Sequence, residues 1–104
     1  MTRPSTPAQT DDTWTFLTNH GQALLCIHRD PDARIRDIAS AVGITERAAQ
    51  KIVADLVDEG YVDRKRVGRR NAYRVHADAP LRHQLASGHS IGEVLEALAP
   101  REAA

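Results

Sequence analysis

Cysteine, aromatic residues and long apolar runs are scarce in this 104-residue chain, which has one Cys, one Trp, one Phe and two Tyr. A lone Cys26 excludes an internal disulfide and a thiolate metal cluster, and fits a reducing compartment. Within its apolar surroundings it reads as a small buried hydrophobe rather than a redox sensor. No stretch approaches the ~20 apolar residues of a membrane helix, and Met1–Asp12 lacks the apolar centre of a signal peptide. A soluble, cytoplasmic protein is expected. The length suits one domain with one core, and is too short for a reader domain plus a separate sensor domain.

Net charge is also missing, with 14 basic residues against 14 acidic. A zero total argues against a nucleic-acid partner, but the charges are unevenly placed. From Arg34 to His76 there are ten Lys/Arg against six Asp/Glu, leaving four basic and eight acidic residues elsewhere. Arg64 to Arg74 holds six cations and no carboxylate. Such asymmetry is a local electrostatic footprint.

Residues 1–12 are rich in Pro, Ser and Thr with little to bury, and are expected to form a disordered arm. A helix is expected from about Thr13, carrying Trp14, Phe16 and Leu17 and bending at Gly21. A second helical piece follows with Ala23, Leu24, Leu25 and Ile27, and ends before Pro31. Arg34-Ile35-Arg36 reads as a short strand, with Asp37 capping a helix over Ile38 to Val42. Gly43 then stands where a sharp turn needs positive φ. Thr45 is an N-cap for a helix over Glu46 to Glu59. Ala49, Ile52, Val53 and Leu56 give that helix an inward face, while Arg47, Gln50, Lys51 and Ala54 point outward. Tyr61 to Val67 and Ala72 to His76 read as paired strands around a Gly68–Asn71 turn.

Two short helices around a tight turn, followed by a basic hairpin, make a winged helix-turn-helix. The fold class is mainly α with a small β-hairpin (α+β). Gln50 suits a bidentate bond to adenine, Arg47 suits guanine, and Lys51 suits a phosphate. Arg64 and Arg66 line up for phosphates from one strand face, and the tip arginines Arg69 and Arg70 suit a narrow minor groove. Cations also keep edge strands from aggregating, but six of them without a carboxylate exceed that need.

Arg34 to His76 resembles the winged-helix core of MarR/ArsR-type bacterial transcriptional regulators. The resemblance lies in the turn formed by Ile38, Ala39 and Val42 to Thr45, in the closing DLVDEGYV of Asp55 to Val62, and in the wing with Gly68, Arg69 and Tyr73. With the preceding helix it covers most of residues 13–76. It implies a regulator of double-stranded DNA in which Thr45, Arg47, Gln50 and Lys51 serve as major-groove and phosphate contacts, and Arg69 and Arg70 as wing contacts.

The winged domain is assigned to 13–86. After it, Ser90 and Glu93 form a capping box before Ile91, Val94, Leu95 and Leu98, an apolar stripe closed by Pro100. The segment 87–104 is assigned as a terminal helix that contributes to a homodimer, with Trp14, Leu17, Ile91, Val94, Leu95 and Leu98 as contacts. His20, His28, His76, His83 and His89 are scattered, so no metal site or cofactor is expected. No nucleophile stands with a base and an orienter, so no enzyme is expected. A protein-interaction module on the same scaffold is the competing reading. A small-molecule effector is left open.

Overall fold

The computed structural model describes residues 14–100, so the expected arm over residues 1–12 lies outside the described residues. Helix α1 spans Asn19–Arg29, α2 Ile35–Val42, α3 Glu46–Asp58 and α4 Ile91–Ala97, with strands β1 Val62–Val67 and β2 Arg70–Val75 between α3 and α4. This is an α+β winged helix: α1, α2 and α3 pack on one another, and the hairpin lies against α1 and α3.

Helix α1 begins later than the apolar pattern suggests. Thr18 is its N-cap and accepts from the Gly21 amide at 3.0 Å. Gly21 is therefore the third residue of the first turn, not a bend. The Gln22 amide group donates to Thr15 Oγ1 and to the Leu17 carbonyl, which draws the preceding segment against the helix. Trp14 and Phe16 remain outside it, 80 % and 90 % exposed.

The expected strand at Arg34–Arg36 is the start of α2. Asp37 caps from inside the helix, its Oδ2 accepting from the Arg34 amide at 3.0 Å. That extends the helix back to Ile35 and puts Ile35, Ile38, Ala39 and Val42 at i, i+3, i+4 and i+7, all turned toward the core. Gly43 ends the helix at φ +88°, and its amide bonds the Ala39 carbonyl at 2.8 Å. A side chain there would meet the steric cost of the left-handed region. At the far end of α3, the Tyr61 amide returns to the Leu56 carbonyl at 3.0 Å and closes the last turn.

The hairpin is antiparallel, with Val62 opposite Val75, Arg64 opposite Tyr73 and Val67 opposite Arg70. Its loop is Gly68–Arg69, two residues rather than the expected four. A further backbone bond, from the Tyr73 amide to the Pro31 carbonyl at 3.1 Å, lays the α1–α2 loop along the free edge of β2. Proline has no amide to return, so the contact does not grow into a third strand.

Ile27, Ile38, Val53 and Val62 are the largest fully buried side chains. Each contributes roughly 1.5–3 kcal/mol by leaving water. Cys26 packs against this cluster, and burial, followed by Asp30 and Asp37, pushes its thiol up. Reactive thiolate is thereby disfavoured.

Helix α4 returns to the same core through Ile91 and Leu95, each 3 % exposed. The Ile91 amide bonds the Ala79 carbonyl and the Gly92 amide the Ala77 carbonyl, at 2.9 and 2.8 Å. A β-carbon on Gly92 would stand 2.6 Å from the Ala77 oxygen, so only glycine allows this approach. Arg29 closes the other end of α4 by donating to the Leu98 carbonyl.

Candidate nucleic-acid interface

The Thr45 N-cap fixes where α3 starts. Its Oγ1 accepts from the Ala48 amide at 3.0 Å, which leaves the hydroxyl hydrogen to point at a ligand. Burial of Ala49, Ile52, Val53 and Leu56 then turns Arg47, Gln50 and Lys51 to solvent. Ala54, expected among the outward residues, is half-buried. Arg47 and Gln50 have no hydrogen-bond or ion-pair partner among the described residues, so nothing within the fold needs to be broken for them to engage a base edge.

Lys51 is different. Its ammonium lies 2.8 Å from Asp55 Oδ1, and Asp55 Oδ2 lies 2.8 Å from Nε2 of His20 on α1. Hydrogen bonds from His20 and then Lys51 hold the Asp55 carboxyl below the usual carboxylate range, so it is ionised at neutral pH. Lys51 itself is pushed up by its bond to Asp55.

The wing arginines divide in the same way. Arg66 Nε donates to the Gly68 carbonyl at 3.2 Å, which draws it along its own hairpin. Arg70 donates to the Asp32 carbonyl at 2.9 Å and ties the wing to the α1–α2 loop. Arg64, Lys65, Arg69 and Arg74 have no hydrogen-bond or ion-pair partner among the described residues. Arg64 and Arg66 share a strand face with Val62, while Lys65 takes the opposite one. Arg69 and Arg70 meet Arg34 across a cleft of about 380 Å³ that is also lined by Ala33, Ile35, Asn71 and Tyr73. The fold places the tip arginines Arg69 and Arg70 beside Arg34, a neighbour that the sequence reading did not name.

Against this geometry, the sequence pattern of the MarR family matches residues 15–70, which run from before α1 to the start of β2. The chain belongs to the MarR family. Of the paired MarR/ArsR resemblance, the match selects the first. A curated relative is the HTH-type transcriptional regulator PetP of Rhodobacter capsulatus, 32 % identical over 57 residues. That alignment covers 55 % of this chain and 34 % of PetP, so the chain spans about a third of its relative's length.

Of the six residues expected at a dimer contact, Ile91 and Leu95 are buried in the chain's own core, which corrects their assignment to a surface. Trp14 and Val94 are exposed, and Leu17 and Leu98 are half-buried. Leu17, Val94 and Leu98 line an apolar groove of about 260 Å³ between α1 and α4. Among the described residues no cluster of three His, Cys, Asp or Glu is placed to hold a metal ion, and no helix is long and apolar enough to cross a membrane.

His20 was missed as part of the site. Lys51 and Asp55 are spaced i, i+4 and could be paired by inspection. His20 lies 35 residues from Asp55, and nothing local announces it.

Proposed function

We propose that this protein is a sequence-specific, double-stranded-DNA-binding transcriptional regulator acting in the cytoplasm. The N-terminal half of α3 enters the major groove, and the wing grips the backbone or minor groove. The observation that carries the reading is the exposed, uncommitted pair Arg47 and Gln50 at the capped start of α3 in a MarR-family fold. Arg47 and Gln50 read bases, and Thr45 and Lys51 take phosphates. Arg64 and Arg69 supply the wing's direct charge, supported by Arg66 and Arg70.

The regulator acts as a homodimer whose contact includes Trp14, Leu17, Val94 and Leu98, which remain available at the surface. Two-fold symmetry then places the recognition helices about 34 Å apart, one turn of duplex.

The test is selection of duplexes from a genomic-fragment pool, then anisotropy titration of the best fragment at low and physiological salt. A pseudo-palindromic site whose affinity falls by decades as salt rises supports the reading; no binding at low salt overturns it. The apolar groove between α1 and α4 favours a second reading, a protein-interaction module, which salt-insensitive capture of a protein without DNA affinity would support.

A further inference from the structure

The outward side of α3 changes sign along its length. Arg47 and Lys51 occupy its first half, and Asp55, Asp58 and Glu59 its end. Past Glu46 at the first position, a duplex laid along this helix therefore meets the two cations and then the closing carboxylates. Two groups from elsewhere in the chain hold two of those carboxylates: His20 bonds Asp55, and Arg82 reaches Glu59 at 3.2 Å. The three carboxylates, His20 and Arg82 border one cleft beside α1 and Tyr61.

Only the Asp55 contact bears directly on a residue of the proposed interface. An ionised carboxylate accepts and cannot donate, so His20 Nε2 must be the donor in its 2.8 Å bond to Oδ2. The Lys51 ammonium sits on the other oxygen at the same distance. Two donors thus share one negative charge. Remove the imidazole, and the whole charge faces Lys51.

We propose that His20 is a positioning residue for DNA binding: by holding one oxygen of Asp55 it weakens the carboxylate's grip on Lys51, which leaves the ammonium free to move to a backbone phosphate. Lys51 is suited to such an exchange because its side chain is 74 % exposed on a flexible stem, whereas Asp55 is 33 % exposed and anchored from α1. A phosphate approaching the first half of α3 then competes with a carboxylate that is already engaged by a second donor. The proposal rests on the reading of α3 as the DNA-contacting helix.

The experiment compares the full chain with His20→Leu, His20→Gln, Asp55→Asn and the His20→Leu/Asp55→Asn double variant. Each is titrated by anisotropy against the selected duplex over a series of KCl concentrations, and melting temperatures are recorded alongside. His20→Leu is expected to bind roughly fivefold more weakly at low salt, with the slope of log affinity against log salt flatter by about one cation. His20→Gln keeps a donor at the equivalent position and should restore the parental slope. Asp55→Asn removes the competing charge and should bind more tightly than the parent, and the double variant should match it because no carboxylate is left to grip Lys51.

A purely structural tie between α1 and α3 would lower the melting temperature of His20→Leu while leaving the slope parental, and the double variant would be no better than His20→Leu. Either result overturns the proposal while the DNA reading stands. A parent chain that binds no duplex at low salt overturns both.

Discussion

Helix α3 and the wing both present cations, but they hold their charge in different ways. On α3, Lys51 is paired with Asp55, the helix closes in acid residues, and the uncommitted side chains are one arginine and one amide. On the hairpin, six cations lie between residues 64 and 74 without a carboxylate, and the side-chain bonds of Arg66 and Arg70 go to carbonyl oxygens, which neutralise nothing. On the proposed DNA-binding reading, the helix would discriminate and the wing attract, because bidentate contacts separate base pairs whereas bare charge grips every phosphate alike.

That contrast can be broken most forcefully at the wing. Arg64→Ala with Arg69→Ala is expected to weaken binding to every duplex by about tenfold or more, and to flatten the salt slope by about 1.8, as two lost phosphate contacts require. Anisotropy over a range of KCl concentrations checks both. A loss confined to one sequence would instead assign base reading to the wing.

At the helix, Gln50→Ala should leave binding to unrelated DNA unchanged and relax the preference at one base pair by about 1–3 kcal/mol, seen in competition between singly substituted duplexes. Arg70→Ala tests whether the wing is strapped as well as charged. Loss of its bond to the Asp32 carbonyl should cost about 1 kcal/mol in urea titration and speed hydrogen exchange at the Tyr73 amide beside it. Thr45→Ala should cost about 1 kcal/mol through the lost cap, and raise exchange in the first turn of α3.

The smallest effect concerns acid. The Asp55 carboxyl is lowered in the folded chain, so the stability it contributes is fully present above the ordinary aspartate range and is lost as pH falls through the lowered value. The urea midpoint of Asp55→Asn should therefore sit slightly below the parent's at pH 7 and approach it as pH falls below the ordinary aspartate range. A gap that widens in acid would contradict the pairing.

Much of this architecture is readable from the chain because it is specified locally. The Thr45 cap, the four inward residues of α3, Gly43 and the Ser90–Glu93 box each act within one or two turns. The start of α1 was misplaced because Trp14 and Phe16 look like core residues, whereas the Thr18 cap decides the boundary. Arg34–Arg36 looks like a strand until the Asp37 carboxylate is seen to bind the Arg34 amide. On the terminal helix the apolar stripe was found, but not its division: Ile91 and Leu95 face the core and Val94 faces out. The Arg70–Asp32 and His20–Asp55 bonds span 38 and 35 residues, and only the packed helices bring those groups together.

The two-residue loop at the wing tip limits how this surface can change over evolutionary time. Val67 faces Arg70 directly, and side chains alternate sides along each strand. One residue inserted within β1 would carry the positions beyond it to the opposite side, so that Arg64 or Arg66 would leave the row begun by Val62. Paired insertions of two residues in each strand would keep every side chain on its face and lengthen the reach by about 6.8 Å. The wing is therefore free to change its surface by substitution or by matched two-residue additions, while single-residue length changes within its strands scramble the surface it presents.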